Sequence, residues 1–323
     1  MLNIERLNFH YVPEKRILSD VNFTVEKGEI ISILGESGSG KSTLLRLIYG
    51  LEDAVSGEIS YKNKKIKGPR FNLIPGHPEM KLVPQEFDLL DSIRVIENVG
   101  KYLSNFNLPL KEKNSSTALK TVFMLDYKDE FPSDLSGGQR QRVSIARALA
   151  AHPKVLLLDE PYSHLDQALK FKIRRSLWKW AKKNNCMVIL TTHDVYDALG
   201  FSDKIIVLKE GRIIQNDTPE NLINFPKNEY IASILGNYSL LTQRQMRELF
   251  EIEIPNRKRA VIYPNEVKID TSGTEFIIKE VRFRGENYWV EAQREGVILQ
   301  FHTPQKPEKE LISLTITHYH LIS

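Results

Sequence analysis

The sequence predicts an α/β core interrupted by a helical subdomain and followed by a small all-β domain. Three observations predict it. Over residues 1–235, short apolar runs alternate with longer helical stretches, the pattern of a mostly parallel sheet covered by helices. Between Gln85 and Ser136 the text is helix-like with no clear strand, so a helical subdomain, about 86–150, is inserted into the sheet. After Tyr230–Leu241, β-branched and aromatic residues dominate, which sets 236–323 apart as a C-terminal domain.

The buried strands of the core are expected at Ile30–Leu34, Val155–Leu158, Met187–Thr191 and Ile205–Leu208, each short, apolar and bounded by polar or turn residues. In the tail, Phe276–Phe283, Asn287–Gln293 and Gly296–Phe301 read as strands. They are separated by the turns Arg284-Gly285-Glu286 and Arg294-Glu295-Gly296, and Leu311–Ser323 alternates as well. That pattern suits a closed or partly closed barrel.

Composition narrows the function. The 323 residues are 41% hydrophobic and 27% charged, an ordinary globular mixture, and the net charge of +4 is mild. Lys62–Lys67 therefore reads as a solvated basic face, and no nucleic acid is expected as a partner. The one cysteine, Cys186, excludes an intramolecular disulfide and permits a reducing compartment. No apolar run approaches the roughly 20 residues that span a bilayer, and Met1–Glu5 lacks the pattern of a secretory signal. Any transport the chain drives must then use separate pore-forming subunits.

Gly35-Glu36-Ser37-Gly38-Ser39-Gly40-Lys41-Ser42 follows the strand Ile30–Leu34 and opens a helix pattern at Thr43. This is the P-loop spacing of nucleoside-triphosphate binding. Its glycines let backbone N–H groups wrap phosphates at a helix N-terminus, Lys41 would reach the β- and γ-phosphates, and Ser42 would bind Mg²⁺. Val155–Leu158 ends in two carboxylates: Asp159 can hold the magnesium shell, and Glu160 can polarise an attacking water. A third element is Leu135-Ser136-Gly137-Gly138-Gln139. Ser136 and Gln139 have capping-box spacing, so the motif opens a helix. It cannot replace the P-loop on its own nucleotide and makes sense as a second phosphate clamp offered to a partner.

On these motifs the first 235 residues or so resemble the ABC (ATP-binding cassette) ATPases, with a P-loop NTPase core. Leu135–Gln139 matches the family signature. The resemblance implies that Tyr11 stacks on adenine and that Gln85 is the glutamine sensing magnesium and the membrane partner. It also makes Ser163-His164-Leu165-Asp166 the D-loop and His193 the switch histidine. Taken alone, Tyr11 reads as a packed aromatic, and His164 is unusual for a D-loop. What the family implies is a homodimer sandwiching two ATP molecules, each between one P-loop and the other subunit's Ser136–Gln139. Glu160 would be the general base, with His193 on the γ-phosphate.

The tail resembles, more weakly, the OB/TOBE-like domain of importer ATPases. The resemblance rests on Asn221–Leu241, on Tyr263-Pro264-Asn265-Glu266-Val267, where Tyr263 replaces an arginine, and on Val281–Tyr288. It implies an importer of ferric iron, a polyamine or a similar small solute, working with transmembrane permease subunits and a substrate-binding protein at the cytoplasmic face of the membrane. An exporter ATPase is the main rival, and a non-transport ATPase acting on ribosomes or DNA the lesser one. His318 and His320 share one face of the last strand pattern. Without a carboxylate or cysteine in company they are expected to be a satisfied or exposed pair, not a metal site.

Overall fold

The computed structural model describes residues 1–322, which divide into two compact units, one of Met1–Pro219 and one starting at Glu220. The first unit runs β1 (Leu2–Val12), β2 (Lys15–Val25), β3 (Ile30–Leu34), α1 (Lys41–Tyr49), β4 (Ser56–Tyr61), β5 (Lys64–Lys65) and β6 (Met80–Val83). The helices α2 (Val95–Val99), α3 (Leu108–Thr121) and α4 (Gly137–Ala150) follow. Then come β7 (Val155–Asp159), α5 (Gln167–Asn184), β8 (Met187–Thr192), α6 (Val195–Leu199), β9 (Lys204–Lys209) and β10 (Arg212–Asp217).

Six strands form the central sheet in the order β10-β9-β3-β8-β7-β6, all parallel except the edge strand β10. The four predicted buried strands are β3, β7, β8 and β9. They are continuous apolar runs because both faces of a parallel sheet are covered. In β7, Leu156 and Leu158 join one core while Val155 and Leu157 join another, as the two-residue period of a strand demands. A second sheet, β2-β1-β4-β5, is antiparallel and was not legible in the sequence. Asn3, Glu5, Asn8 and His10 alternate with the buried Leu2, Ile4, Leu7 and Phe9 of β1, but the extra residue at Arg6 breaks the phase, and the pairing with β2 shifts register four times.

The helical insertion lies between β6 and β7, which are nevertheless hydrogen-bonded neighbours. Val95 and Val99 of α2, Leu119 of α3, and Val143 and Ala146 of α4 share the core that contains Leu156 and Leu158. The Arg142 guanidinium donates to the carbonyls of Phe123 (3.0 Å) and Val122 (3.4 Å), fastening α4 to the chain just beyond α3.

The second unit contains most of α7 (Pro219–Asn224), then α8 (Glu229–Leu235), β11 (Ser239–Thr242), α9 (Gln243–Phe250), β12 (Arg259–Ile262) and β13 (Val267–Phe283). It continues with β14 (Tyr288–Arg294), β15 (Val297–Thr303), β16 (Leu311–Ile316) and β17 (His320–Ile322). Two antiparallel sheets, β11-β12-β17 and β15-β14-β13-β16, enclose a core of Phe276, Val290, Leu299, Phe301 and Leu314. Among the described residues the two sheets make a half-barrel, the partly closed form expected. The division between units falls earlier than 235/236, because Ala232 of α8 packs against Val261, Tyr263 and Ile322 and so folds with the second unit.

Candidate active site

All five residues of β3 are buried, and the chain leaves the sheet at Gly35 into the loop that precedes α1. No other residue fits at Gly35, since a Cβ there would lie 2.3 Å from the Leu208 carbonyl oxygen of β9. Glu36, Ser37, Gly38 and Ser42 are exposed, Thr43 is half-buried, and Ser39, Gly40 and Lys41 are buried. The first amides of α1 therefore open toward solvent at the positive end of a helix, a ready place for phosphate. Lys41 lies back across its own loop and donates from Nζ to the carbonyls of Gly35 (2.8 Å) and Glu36 (2.9 Å). Burial lowers its pKa, while the nearby charges of Glu160 and Asp159 act in the opposite direction.

The end of β7 supplies the carboxylates. Asp159 is buried, and its Oδ1 accepts from Ser42 Oγ (3.0 Å) and Thr191 Oγ1 (2.6 Å). Glu160 follows at φ 46°, a left-handed conformation that turns it out of the strand line. Its amide donates to Thr191 Oγ1 (3.0 Å), and its carbonyl accepts from Gln141 Nε2 (2.9 Å). Glu160 Oε2 faces His193 Nδ1 at 3.2 Å, and that imidazole is 59% exposed. The parallel register of β7 with β8, Asp159 beside Thr191, brings Glu160 and His193 to the same end of the sheet.

The other expected residues occupy the surroundings in different ways. Tyr11 is exposed near the tip of the β1–β2 hairpin, edge-on to Phe9 with ring centroids 4.8 Å apart. Ile17 and Leu18 of the same hairpin lie where a Cβ on Gly40 would meet them, so β2 backs onto the phosphate loop. Gln85 is exposed just past β6, and the register that sets Val83 beside Leu158 puts it at the Asp159 end of the sheet. Ser136 N-caps α4: Gln139 N donates to its Oγ (3.4 Å), and its own N–H donates to Gln139 Oε1 (2.8 Å). Ser136 and Gly137 are exposed, so this helix end also faces outward. A Cβ on Gly138 would sit 2.6 Å from the His164 carbonyl oxygen, so the signature turn rests on the D-loop. Asp166 caps α5 by accepting from Leu169 N (2.9 Å).

Three residues that hold this site were missed. Thr191 ties Asp159 to the Glu160 amide. Gln141 reaches from α4 to the Glu160 carbonyl. Arg147 of α4, almost wholly buried, donates to the carbonyls of Asp88 (2.5 Å) and Phe87 (3.1 Å) just beyond Gln85. Only a polar residue amid a helix's buried face could have signalled the last two.

Comparison with known proteins settles the family. A Fe(3+) ions import ATP-binding protein of Haemophilus influenzae is 32% identical over 332 residues, spanning 95% of this chain and 92% of its own length. The chain belongs to the ABC transporter family. The family's own pattern matches residues 18–163, from β2 through the Asp159–Glu160 strand end. A spermidine/putrescine import ATP-binding protein of Clostridium novyi is 35% identical over 299 residues, covering 87% of this ABC ATPase and 84% of that protein. Among solved structures, a dimeric post-hydrolysis state of an ATP-binding cassette bound to ADP and phosphate superposes with a TM-score of 0.61. It is 30% identical and covers 68% of this chain and 99% of its own. The ABC ATPase described here is thus of the importer type and hydrolyses ATP.

Proposed function

We propose that the chain is the motor of an importer for a small solute such as ferric iron or a polyamine, closing on ATP as a homodimer. Transmembrane permease subunits and a substrate-binding protein complete the assembly, and the chain lies against the cytoplasmic face of the membrane. The observation that carries the reading is the strand end where Ser42 meets Asp159 at 3.0 Å while Glu160 faces His193 at 3.2 Å. That geometry supports a reading in which the oxygen pair faces the phosphates beside a base and an orienting imidazole.

In this reading Tyr11 stacks on adenine, and the amides of Gly35–Thr43 wrap the phosphates. Lys41 exchanges its two loop carbonyls for the β- and γ-phosphate oxygens. Ser42 and Asp159 offer hard oxygen donors to Mg²⁺, with Gln85 at the same sheet end, so the residues present fit that ion. When bound, Mg²⁺ neutralises charge on the phosphates. Glu160 takes the proton of the attacking water, and His193 orients that water and the γ-phosphate. Ser136, Gly137, Gly138 and Gln139 of a second copy present their helix end to the far side of the same nucleotide, and Asp166 borders that interface.

The test is size-exclusion chromatography of Glu160→Gln with and without ATP. A monomer that becomes a dimer only with ATP is expected. A chain that binds ATP yet stays monomeric at every concentration overturns the self-sufficient sandwich. A chain that binds no ATP overturns the phosphate-loop assignment.

A further inference from the structure

The second unit brings His318 and His320 together with a carboxylate that the sequence reading did not give them. Glu266 lies 54 residues before His320, on the short turn between β12 and β13, and its Oε1 approaches His320 Nε2 at 2.5 Å. One ligand atom from each of Glu266, His318 and His320 lies within 4.8 Å of the other two, and the two imidazole rings are 4.7 Å apart.

Two members of this cluster, His320 and Glu266, are held from behind. His320 Nδ1 donates to the Asn224 carbonyl at 2.9 Å, which leaves Nε2 pointing at the cluster. A histidine whose second ring nitrogen is bonded to a carbonyl is the usual arrangement of a metal ligand. Glu266 Oε2 accepts from Tyr263 N at 2.7 Å, which leaves Oε1 for the cluster. Thr317 donates from both N (2.8 Å) and Oγ1 (2.9 Å) to the Glu266 carbonyl, pinning the residue next to His318. His320 and Glu266 are buried while His318 is exposed, so the cluster opens on one side. It opens into a cleft of about 870 Å³ lined by Phe225, Pro226, Lys227 and Lys258 as well as the two histidines.

We propose that Glu266, His318 and His320 form a binding site for a divalent transition metal of the zinc class. Two imidazoles and a carboxylate suit Zn²⁺, Co²⁺ or Ni²⁺ and disfavour Mg²⁺ and Ca²⁺. Ligand bonds of about 2.0–2.2 Å at tetrahedral angles need donors about 3.4 Å apart. Seating the ion therefore requires Glu266 Oε1 to swing about its Tyr263 anchor and the exposed His318 ring to turn inward. Three protein ligands leave a fourth position facing the cleft, open to water or a small anion. Without metal, a proton between His320 and Glu266 takes the ion's place, so the ion enters as that proton leaves.

The test titrates Co²⁺ into the full chain, stripped with EDTA and free of nucleotide, reading visible absorption and then displacing with Zn²⁺. One ion per chain is expected, with affinity lowered about tenfold or more in His318→Ala. Because His318 is exposed, that variant should melt like the parent when no metal is present. No Co²⁺ bound at millimolar concentration overturns the site, and so does equal affinity in His318→Ala. Either result would leave Glu266 and His320 as a structural ion pair. The titration contains no ATP, so its failure leaves the active-site reading untouched.

Discussion

Among the described residues two histidine–carboxylate pairs occur, one in each unit, and they are built on opposite plans. Glu160 and His193 stand 3.2 Å apart at an open strand end, with the imidazole 59% exposed. Glu266 and His320 stand 2.5 Å apart, with the imidazole only 1% exposed and its other nitrogen bonded to a carbonyl. The first pair holds its histidine from one side only, which leaves the ring free to meet a ligand. The second holds its histidine from both sides, which fixes the buried ring between Asn224 and Glu266 at the wall of the cleft. Burial lowers the His320 pKa, but hydrogen bonds to Glu266 and Asn224, with the Glu266 charge, raise it overall above the ordinary imidazole value. The contrast shows that a shared residue pair says little about use, whereas what fastens the imidazole from behind says a great deal.

The contrast breaks most visibly in the kinetics of the open pair. Glu160→Gln is expected to slow ATP hydrolysis by about 10²–10⁴-fold, and His193→Ala by about 10²-fold, in a steady-state phosphate-release assay. Neither should change the unfolding free energy in urea by more than about 0.5 kcal/mol, since the His193 ring is largely solvated and Glu160→Gln keeps the side chain's shape. A large loss of stability would show that the pair is structural after all.

The closed pair should answer in reverse. His320→Ala leaves the Glu266 carboxylate buried without its partner, so the unfolding free energy of the second unit should fall by about 3–5 kcal/mol in urea melts. ATP turnover per folded molecule should stay at the parent value. A loss of turnover without a loss of stability would invert the assignment.

Ser136 lies between these extremes, because it both caps α4 and faces the proposed nucleotide sandwich. Ser136→Ala should cost about 1 kcal/mol by thermal melting, and ATP should no longer drive dimer formation in size-exclusion runs. The smallest response is expected at Cys186, which belongs to the first unit's core. Burial pushes its thiol pKa up to about 12, so iodoacetamide should react only when that unit opens. His320→Ala should leave the labelling rate unchanged, and a faster rate would show that the two units unfold together.

Much of the first unit was legible because its strands are continuous apolar runs and its phosphate loop has fixed spacing. Ser136 and Gln139 announced a capping box four residues long, and the structure contains it. What escaped depends on partners distant in the chain. Gln141 and Arg147 act on backbone carbonyls of residues 160, 87 and 88, and a carbonyl leaves no trace in the sequence. His318 and His320 looked companionless because Glu266 reaches them through strand pairing, β12 beside β17, rather than along the chain. The N-terminal sheet escaped because one extra residue at Arg6, with φ 48°, throws the alternation of β1 out of phase between Ile4 and Leu7.

Arg147 also gives α4 a mechanical character. The helix carries Ser136 at its first cap, while eleven residues later Arg147 grips the carbonyls just past Gln85. At 1.5 Å per residue these two points are about 16 Å apart on one rigid rod. The chain just past Gln85 and the signature serine are therefore fastened near the two ends of a single helix.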